Sequence, residues 1–597
     1  MCNMQKLREH FQSVFVSLDF LMRILKILAS GGRLYLMVIM LLAIIFGVLP
    51  SISIMVMQEI VNTLQVAEQG FGYISALIAI YIVIDVFKGA AGAFSGYIES
   101  VIKMKSEITL KMSLLEKVKE LSLKDFENTE TYNLIQRAMS TSIESLFSFF
   151  KSFVLIFQSF INLVMFSIIL LSWHWWLFPI IIVAPIIGAL ITAFFGKKQF
   201  LIHKERAGES RRQWYYEYLL TNDIAFKEIK TFNIGEHLRS KYKRLSLKFL
   251  KQDKQLLNRR TIAHSLLLIV DHLILAALLT FIVLQAFLGR ILLGDLITYI
   301  QSMSNIKSSS QSLLSHISSI YQNILNISLY FDFMDMESVT EDNMSNQSLD
   351  SIPSIEIKNL SYKYKGKDNN ALQNINLKID RGSLIAFIGE NGSGKTTLVK
   401  ILSALYNDYH GDIYFGKQNL RDINSEEIRK KIGILFQDFV KYELSARENI
   451  SFGQLEKLDD DYALLQALIE TGMQDKISDL DSQLGFWFDD GVQLSGGEWL
   501  RVALSRAFIR DAELYLLDEP NSALDSVSER RVLESFKELA NNKIGIIVSH
   551  RISSIRNIVD HIVVFDNGSV QAWGTHDELL KTSEVYRRLY EHENGAN

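Results

Sequence analysis

"GENGSGKTT", Gly389 to Thr397, combines a pliable backbone with one fixed positive charge and a hydroxyl, a combination suited to a polyphosphate. It matches G-x-x-x-x-G-K-[ST] at Gly389, Gly394, Lys395 and Thr396. Glycines let consecutive N–H groups close on phosphate oxygens, Lys395 supplies a point charge to the β and γ groups, and the Thr396 hydroxyl reaches Mg2+. Asn391, Gly392, Ser393 and Thr397 complete the loop expected around the phosphates. "LYLLDEP" is an apolar run ending in two acids, with Asp518 placed to help hold Mg2+, often through water, and Glu519 to polarise the water that attacks a γ-phosphate. "VSH" repeats the pattern and ends at His550; a lone histidine is usually unremarkable, so its role depends on its company. A second loop, "DDGVQLSGGEWLRVALSRAF", places Ser495, Gly496 and Gly497 before a helix-patterned run, where free N–H groups and the positive end of the helix dipole favour phosphate.

These residues need elements to hold them. "SLIAFIGENGSGKTTLVKILSAL" reads as strand, loop and helix in order, and short strands alternate with helices from residue 354 to 597, as in an α/β domain. A polar, acidic linker, Met334 to Pro353, precedes it. Ahead of the linker the composition changes, and this explains how a chain that is 49% apolar can still be 21% charged. A spanning helix needs about 20 mainly apolar residues. Leu34 to Gln58 and Ser152 to Gly196 contain no Asp, Glu, Lys or Arg, and the second is long enough for two spans broken at "SWHWW". Gly72 to Tyr97 contains Asp85 and Lys88, and Ile262 to Gly289 contains Asp271 and His272. A sixth, Leu293 to about Tyr330, is studded with Ser, Gln and Asn, as expected of a helix facing a water-filled cavity.

Six spans are therefore expected in residues 1–333. Basic residues concentrate in Val101–Ser140 and Lys197–Arg260, which places those loops and both termini in the cytoplasm. Their helical spacing extends the spans beyond the lipid, and two polar elbows, "FENTETYNLI" and "LLTNDIAFKEIK", sit between the extensions as docking points. "FVSLDFLMRILKILAS" suits an amphipathic stretch on the inner membrane surface. Asp85 and Lys88, three apart, are expected to pair with each other in preference to contacting cargo. Asp271 with His272 is comparable, although neighbours diverge in direction and one of them can face a cavity. The net charge of -4 gives no indication of a nucleic-acid partner, and Cys2, the single cysteine, rules out an internal disulfide or a multi-thiolate metal site.

The ordered set "LSYKY", "GENGSGKTT", "ILFQDF", "QLSGGEW", "LLDEP" with "SALD", and "VSH" resembles the ABC-transporter ATPase. The resemblance implies a membrane α-helical domain with six transmembrane helices, fused to an α/β P-loop ABC ATPase domain that uses ATP and Mg2+. It further implies that Tyr364 stacks on adenine, that Gln437 attends Mg2+ and catalysis, that Asp525 lies at the ATP site, and that His550 is catalytic. Ser495, Gly496 and Gly497 would cap the ATP of a second copy of the chain, so working sites require a homodimer, and the elbows become coupling helices. "FQDFVKYELSARENI", "QLGFWFDDGVQLSGGEW" and "WYYEYLLTNDIAFKEIK" are similar to the lantibiotic exporters of the nisin and subtilin type. That implies a cell-membrane exporter of a modified precursor peptide by alternating access, working beside peptide-modification enzymes. A multidrug or lipid exporter is the alternative. Glu498 departs from the family's usual Gln, and a turn of its side chain back onto the helix start would keep it off the phosphates.

Overall fold

The computed structural model describes residues 21–66, 70–140, 143–336, 347–520 and 524–595. Cys2, positions 15–20 of the surface-helix stretch, most of the linker (337–346) and Ser522–Ala523 of "SALD" lie outside them; residues 21–30 are helical. The chain divides into two compact units, one of residues 1–119 and 133–336, the other of residues 120–132 and 337–597.

Among the described residues of the first unit, five helices are long and apolar enough to cross a membrane: Arg33–Val66, Phe71–Lys119, Glu144–Leu171, Leu177–His203 and Gly235–Phe287. The expected sixth is a continuous 42-residue helix, Leu293–Met334, that does not reach the apolarity of those five. The reason lies in its two faces. Thr298, Ser302, Ser309 and Ser310 are buried with the apolar Met303 and Ile306, while Gln301, Ser304, Ser308, Gln311 and Ser315 form an exposed polar stripe at three- and four-residue spacing. The extensions beyond bilayer length are present, since Phe71–Lys119 has 49 residues and Gly235–Phe287 has 53.

Both intramembrane charge expectations change. No ion pair among the described residues joins Asp85 to Lys88; both residues are exposed, so no neighbouring element packs the two side chains into one geometry. Asp271 pairs with Lys307 of the following helix, not with His272; the Asp271 and Lys307 side chains are only 7% and 16% exposed. His272 turns its Nδ1 to the Leu268 carbonyl instead, 2.7 Å away.

The second unit holds two sheets. One is antiparallel, in the order β2 (Leu372–Asp380), β1 (Ser354–Tyr362), β4 (His410–Phe415), β5 (Gln418–Asn419). The other runs β10 (Ser569–Gly574), β9 (His561–Asp566), β3 (Leu384–Gly389), β8 (Ile544–Val548), β7 (Leu514–Asp518), β6 (Ile432–Leu435). β9, β3, β8, β7 and β6 are mutually parallel. Every residue of β3, β7 and β8 is buried, which matches their near-continuous apolar sequences. The carboxyl ends of these strands deliver the Gly389 loop, Asp518–Glu519 and His550 to one edge of the sheet.

The segment Glu120–Tyr132, which contains residues 126–132 of the first polar elbow, belongs to this unit. Ser122 and Asp125 close a capping box on Leu123–Glu127, which ends at Asn128. Leu123 packs on the core, Lys124 pairs with Asp408, and Glu127 accepts a 2.7 Å hydrogen bond from the Tyr406 hydroxyl. The second elbow also breaks at an asparagine, Asn222, between helices Ala207–Thr221 and Asp223–Thr231, and lies in the first unit with Phe226 exposed.

Candidate active site

A cleft of about 650 Å³ opens at the edge of the parallel sheet. It is lined by Tyr364, by Gly389 and Asn391 to Thr397, and by Gln437, Glu519 and His550. The loop closes tightly over the strand ends. Gly394 has φ +100°, and a Cβ there would come within 2.6 Å of the Ala371 carbonyl oxygen; at Gly389 it would meet the Phe565 carbonyl oxygen at 2.2 Å. Lys395 Nζ folds back to donate to the Gly389 and Glu390 carbonyls at 2.8 and 2.9 Å and to Ser393 Oγ at 3.2 Å. Burial lowers the lysine's pKa, while Glu519 and Asp518 act in the opposite direction. The ammonium group, carried on the first turn of helix Lys395–Leu402, is thus held by acceptors of the loop itself.

The two acids differ sharply. Asp518 is fully buried, and among the described residues neither of its oxygens has a hydrogen-bond partner. Burial pushes its pKa up to about 6; the neighbouring Thr396 hydroxyl and Lys395 oppose that rise and Glu519 adds to it. A buried carboxylate without a partner is costly, and hard oxygen donors beside a hydroxyl are what Mg2+ takes. The donor set therefore fits the metal, with Asp518, Thr396 and Gln437 as the residues that would hold it.

Glu519 sits in the left-handed region at φ +51°, rare for a side chain of its size. Its N–H donates to the Val548 carbonyl at 3.0 Å, which fixes the turn. Its carboxylate accepts from Gln437 Nε2 at 2.8 Å and lies 3.7 Å from His550 Nδ1. Strain of this kind persists where the surroundings over-determine a residue, and here it aims a carboxylate into the cleft. Gln437 and His550, the second unremarkable as a lone histidine, are thereby brought onto the same carboxylate.

Ser495, Gly496, Gly497 and Asp525 do not line this cleft. Ser495 and Glu498 form a capping box at the start of helix Gly496–Phe508: Ser495 N donates to Glu498 Oε2 at 2.7 Å, and Glu498 N donates to Ser495 Oγ at 3.3 Å. The bond from the Ser495 backbone, chiefly, holds the Glu498 carboxyl below its usual pKa. Its charge is thus turned onto its own helix, and Ser495 and Gly496 stay exposed. Asp525 caps Ser526–Leu539 by accepting from Val527 and Ser528.

Three lining residues carried no sequence signal: Ala371, Ile388 and Leu589. Leu589 arrives from the carboxy-terminal helix, whose amphipathic pattern gives no hint of a site. Behind Tyr364 stands an aromatic group. Tyr406 packs edge-on to Tyr364 at 5.8 Å and stacks on Tyr362 at 5.1 Å, and the Tyr364 hydroxyl meets Thr397 Oγ1 at 3.1 Å. Because Tyr406 also holds Glu127, one buried ring connects the expected adenine platform with the first elbow.

The family described as ABC transporter matches residues 372–522. The chain is 33% identical to the subtilin transport ATP-binding protein SpaT of Bacillus subtilis, over 93% of this chain and 91% of that one. It is also 33% identical to the nisin transport ATP-binding protein NisT of Lactococcus lactis subsp. lactis, over 96% of each. At 26% identity it matches an ATP-dependent lipid A-core flippase of Colwellia psychrerythraea, over 84% of this chain and 86% of that one. Among solved structures, a bacterial Atm1-family ABC exporter with ATP bound superposes with a TM-score of 0.76 at 19% identity, over 93% of this chain and 97% of that one.

Proposed function

This chain belongs to the ABC exporters, multi-pass membrane proteins that couple ATP hydrolysis to transport, and we propose that its cargo is a ribosomally made, modified peptide of the lantibiotic type. The observation that carries the cargo reading is the reach of the 33% identity to proteins named for subtilin and nisin transport, which extends through the membrane half as well as the ATPase half. The exposed polar stripe Gln301, Ser304, Ser308, Gln311 and Ser315 gives a peptide backbone hydrogen-bonding partners along a path that lipid-facing helices would not provide.

The site residues divide the work. Tyr364 receives the adenine, the N–H groups from Gly389 to Thr397 cradle the phosphates, and Lys395 exchanges its carbonyl partners for phosphate oxygens. Glu519 orients the attacking water and accepts its proton as the water oxygen bonds to the γ-phosphorus and the bond to the ADP oxygen breaks. Gln437 and His550 hold Glu519 in place for that step. Mg2+, held by Asp518, Thr396 and Gln437, would neutralise charge on the terminal phosphates. Ser495 and Gly496, absent from this cleft and exposed, complete the site of a second copy, so the working unit is a homodimer with two hydrolysis-competent sites. Residues 1–333 form the membrane domain, 334–353 the linker and 354–597 the nucleotide domain, which faces the cytoplasm with both termini.

Stimulation of ATP turnover tests the cargo. With the full chain in lipid nanodiscs, a lanthionine-containing precursor peptide should raise hydrolysis, whereas a lipid A core or a hydrophobic cationic drug should not. Stimulation by the lipid or the drug alone would assign the chain to the other branch of the family.

A further inference from the structure

His550 stands between Ser549, whose N–H donates to the Phe387 carbonyl at 3.1 Å, and Arg551, whose guanidinium pairs with Glu529 at 3.3 Å. β8 ends at Val548, and only the four-residue helix Ile552–Ile555 follows. A single turn has no stability of its own, because nucleation costs more than its few hydrogen bonds return. Its first N–H groups are held from elsewhere in the chain. Glu593, on helix Glu584–Gly595, accepts from Ile552 N at 2.7 Å and Ser553 N at 3.1 Å, and also from the Ser553 hydroxyl. One helical turn earlier, Tyr590 accepts from Arg556 Nη1 at 2.7 Å.

The same helix also reaches the cleft. Leu589 lines the cleft, and Arg588 pairs with Glu390 of the phosphate loop at 3.2 Å. Leu589 and Glu593, four residues apart, lie on one face of the helix. The carboxy-terminal helix therefore touches both the loop that receives the phosphates and the turn that carries His550.

We propose that Glu593 is a positioning residue for hydrolysis: its carboxylate fixes the turn after His550 and so sets the approach of that imidazole to Glu519, while Arg588 anchors the same helix to the phosphate loop. The proposal rests on the reading of Glu519 and His550 as the hydrolytic pair. Removing the clamp releases His550 without altering the phosphate cradle, so it slows turnover and spares ATP binding.

Steady-state ATP hydrolysis by the full chain in nanodiscs tests this. Glu593→Ala should lower kcat by about tenfold, the cost of losing charge-assisted hydrogen bonds, with KM for ATP within about twofold. Glu593→Gln keeps an acceptor oxygen and should fall between Glu593→Ala and the native chain. In a His550→Ala background Glu593→Ala should cost nothing further, an outcome that a general loss of stability cannot mimic. Wild-type kcat in Glu593→Ala, or an equal further loss in the His550→Ala background, would overturn the clamp. Glu519→Gln run alongside separates the two readings: wild-type turnover there overturns the hydrolytic pair itself, whereas a dead Glu519→Gln beside a fully active Glu593→Ala overturns the clamp alone.

Discussion

Asp518 in the ATPase unit and Asp271 in the membrane unit are buried to a similar degree, 0% and 5% exposed, yet among the described residues only Asp271 has an ion-pair partner. The pair with Lys307 satisfies a charge between two helices, and its chemistry ends there. Asp518 is held by a strand whose every residue is buried, with neither oxygen satisfied among the described residues. A fold that tolerates such a group gives up stability at that point, and the cleft beside it shows what is gained. Burial alone thus does not distinguish the two sites; the state of the carboxylate's partners does.

The same substitution should therefore act in opposite directions at the two positions. Asp271→Asn leaves the Lys307 ammonium buried without its counter-charge and should destabilise the membrane unit by about 3–5 kcal/mol, read as a lower melting temperature in nanodiscs. Adding Lys307→Met should recover most of that loss. Melting unchanged in the single variant would remove the structural reading of the pair and return Asp271 to the cargo path.

Asp518→Asn should instead raise the melting temperature of nucleotide-free protein while hydrolysis collapses. The folded carboxyl has a pKa of about 6 against an ordinary 3.8. The native state therefore binds more protons in this window, and stability is lost as pH rises from about 4 through about 6, by up to about 3 kcal/mol. Asp518→Asn should flatten that part of the melting profile. A profile identical to that of the native chain would show that the carboxylate has a partner in solution.

The smallest of these effects concerns the contact between the first elbow and the aromatic group. Tyr406→Phe keeps the stacked ring and removes the hydroxyl from Glu127, at a cost of about 1 kcal/mol. By linkage, the ATP concentration for half-maximal turnover should shift by several-fold at most, and Glu127→Gln should shift it similarly, with the double variant no worse than either single one. Independent, additive shifts would show that ring and elbow do not communicate.

How much of this was legible in the sequence depends on whether a feature is local. The loop from Gly389 to Thr397 and the acids Asp518 and Glu519 announce themselves because each is one continuous segment at the end of a strand. The elbows were legible too, since Asn128 and Asn222 interrupt long helical patterns. The Asp271 partner was not, because Lys307 lies in a segment where the Ser, Gln and Asn residues dominate the pattern and read as a cavity face. The left-handed backbone of Glu519 leaves no mark on residue type, since a glycine would relieve it but could not carry the carboxylate. Leu589 and Glu593 belong to a helix whose spacing is that of any amphipathic tail, so their approach to the cleft follows only from packing across the sheet.

Uptake of a labelled precursor peptide into inside-out vesicles containing either the native chain or Glu519→Gln tests the central claim most directly. The prediction is ATP-dependent accumulation with the native chain and none with Glu519→Gln, although the variant still binds ATP and its turnover falls roughly a thousandfold. Equal accumulation in both, or accumulation in neither while the native vesicles move a lipid or drug probe, would contradict it.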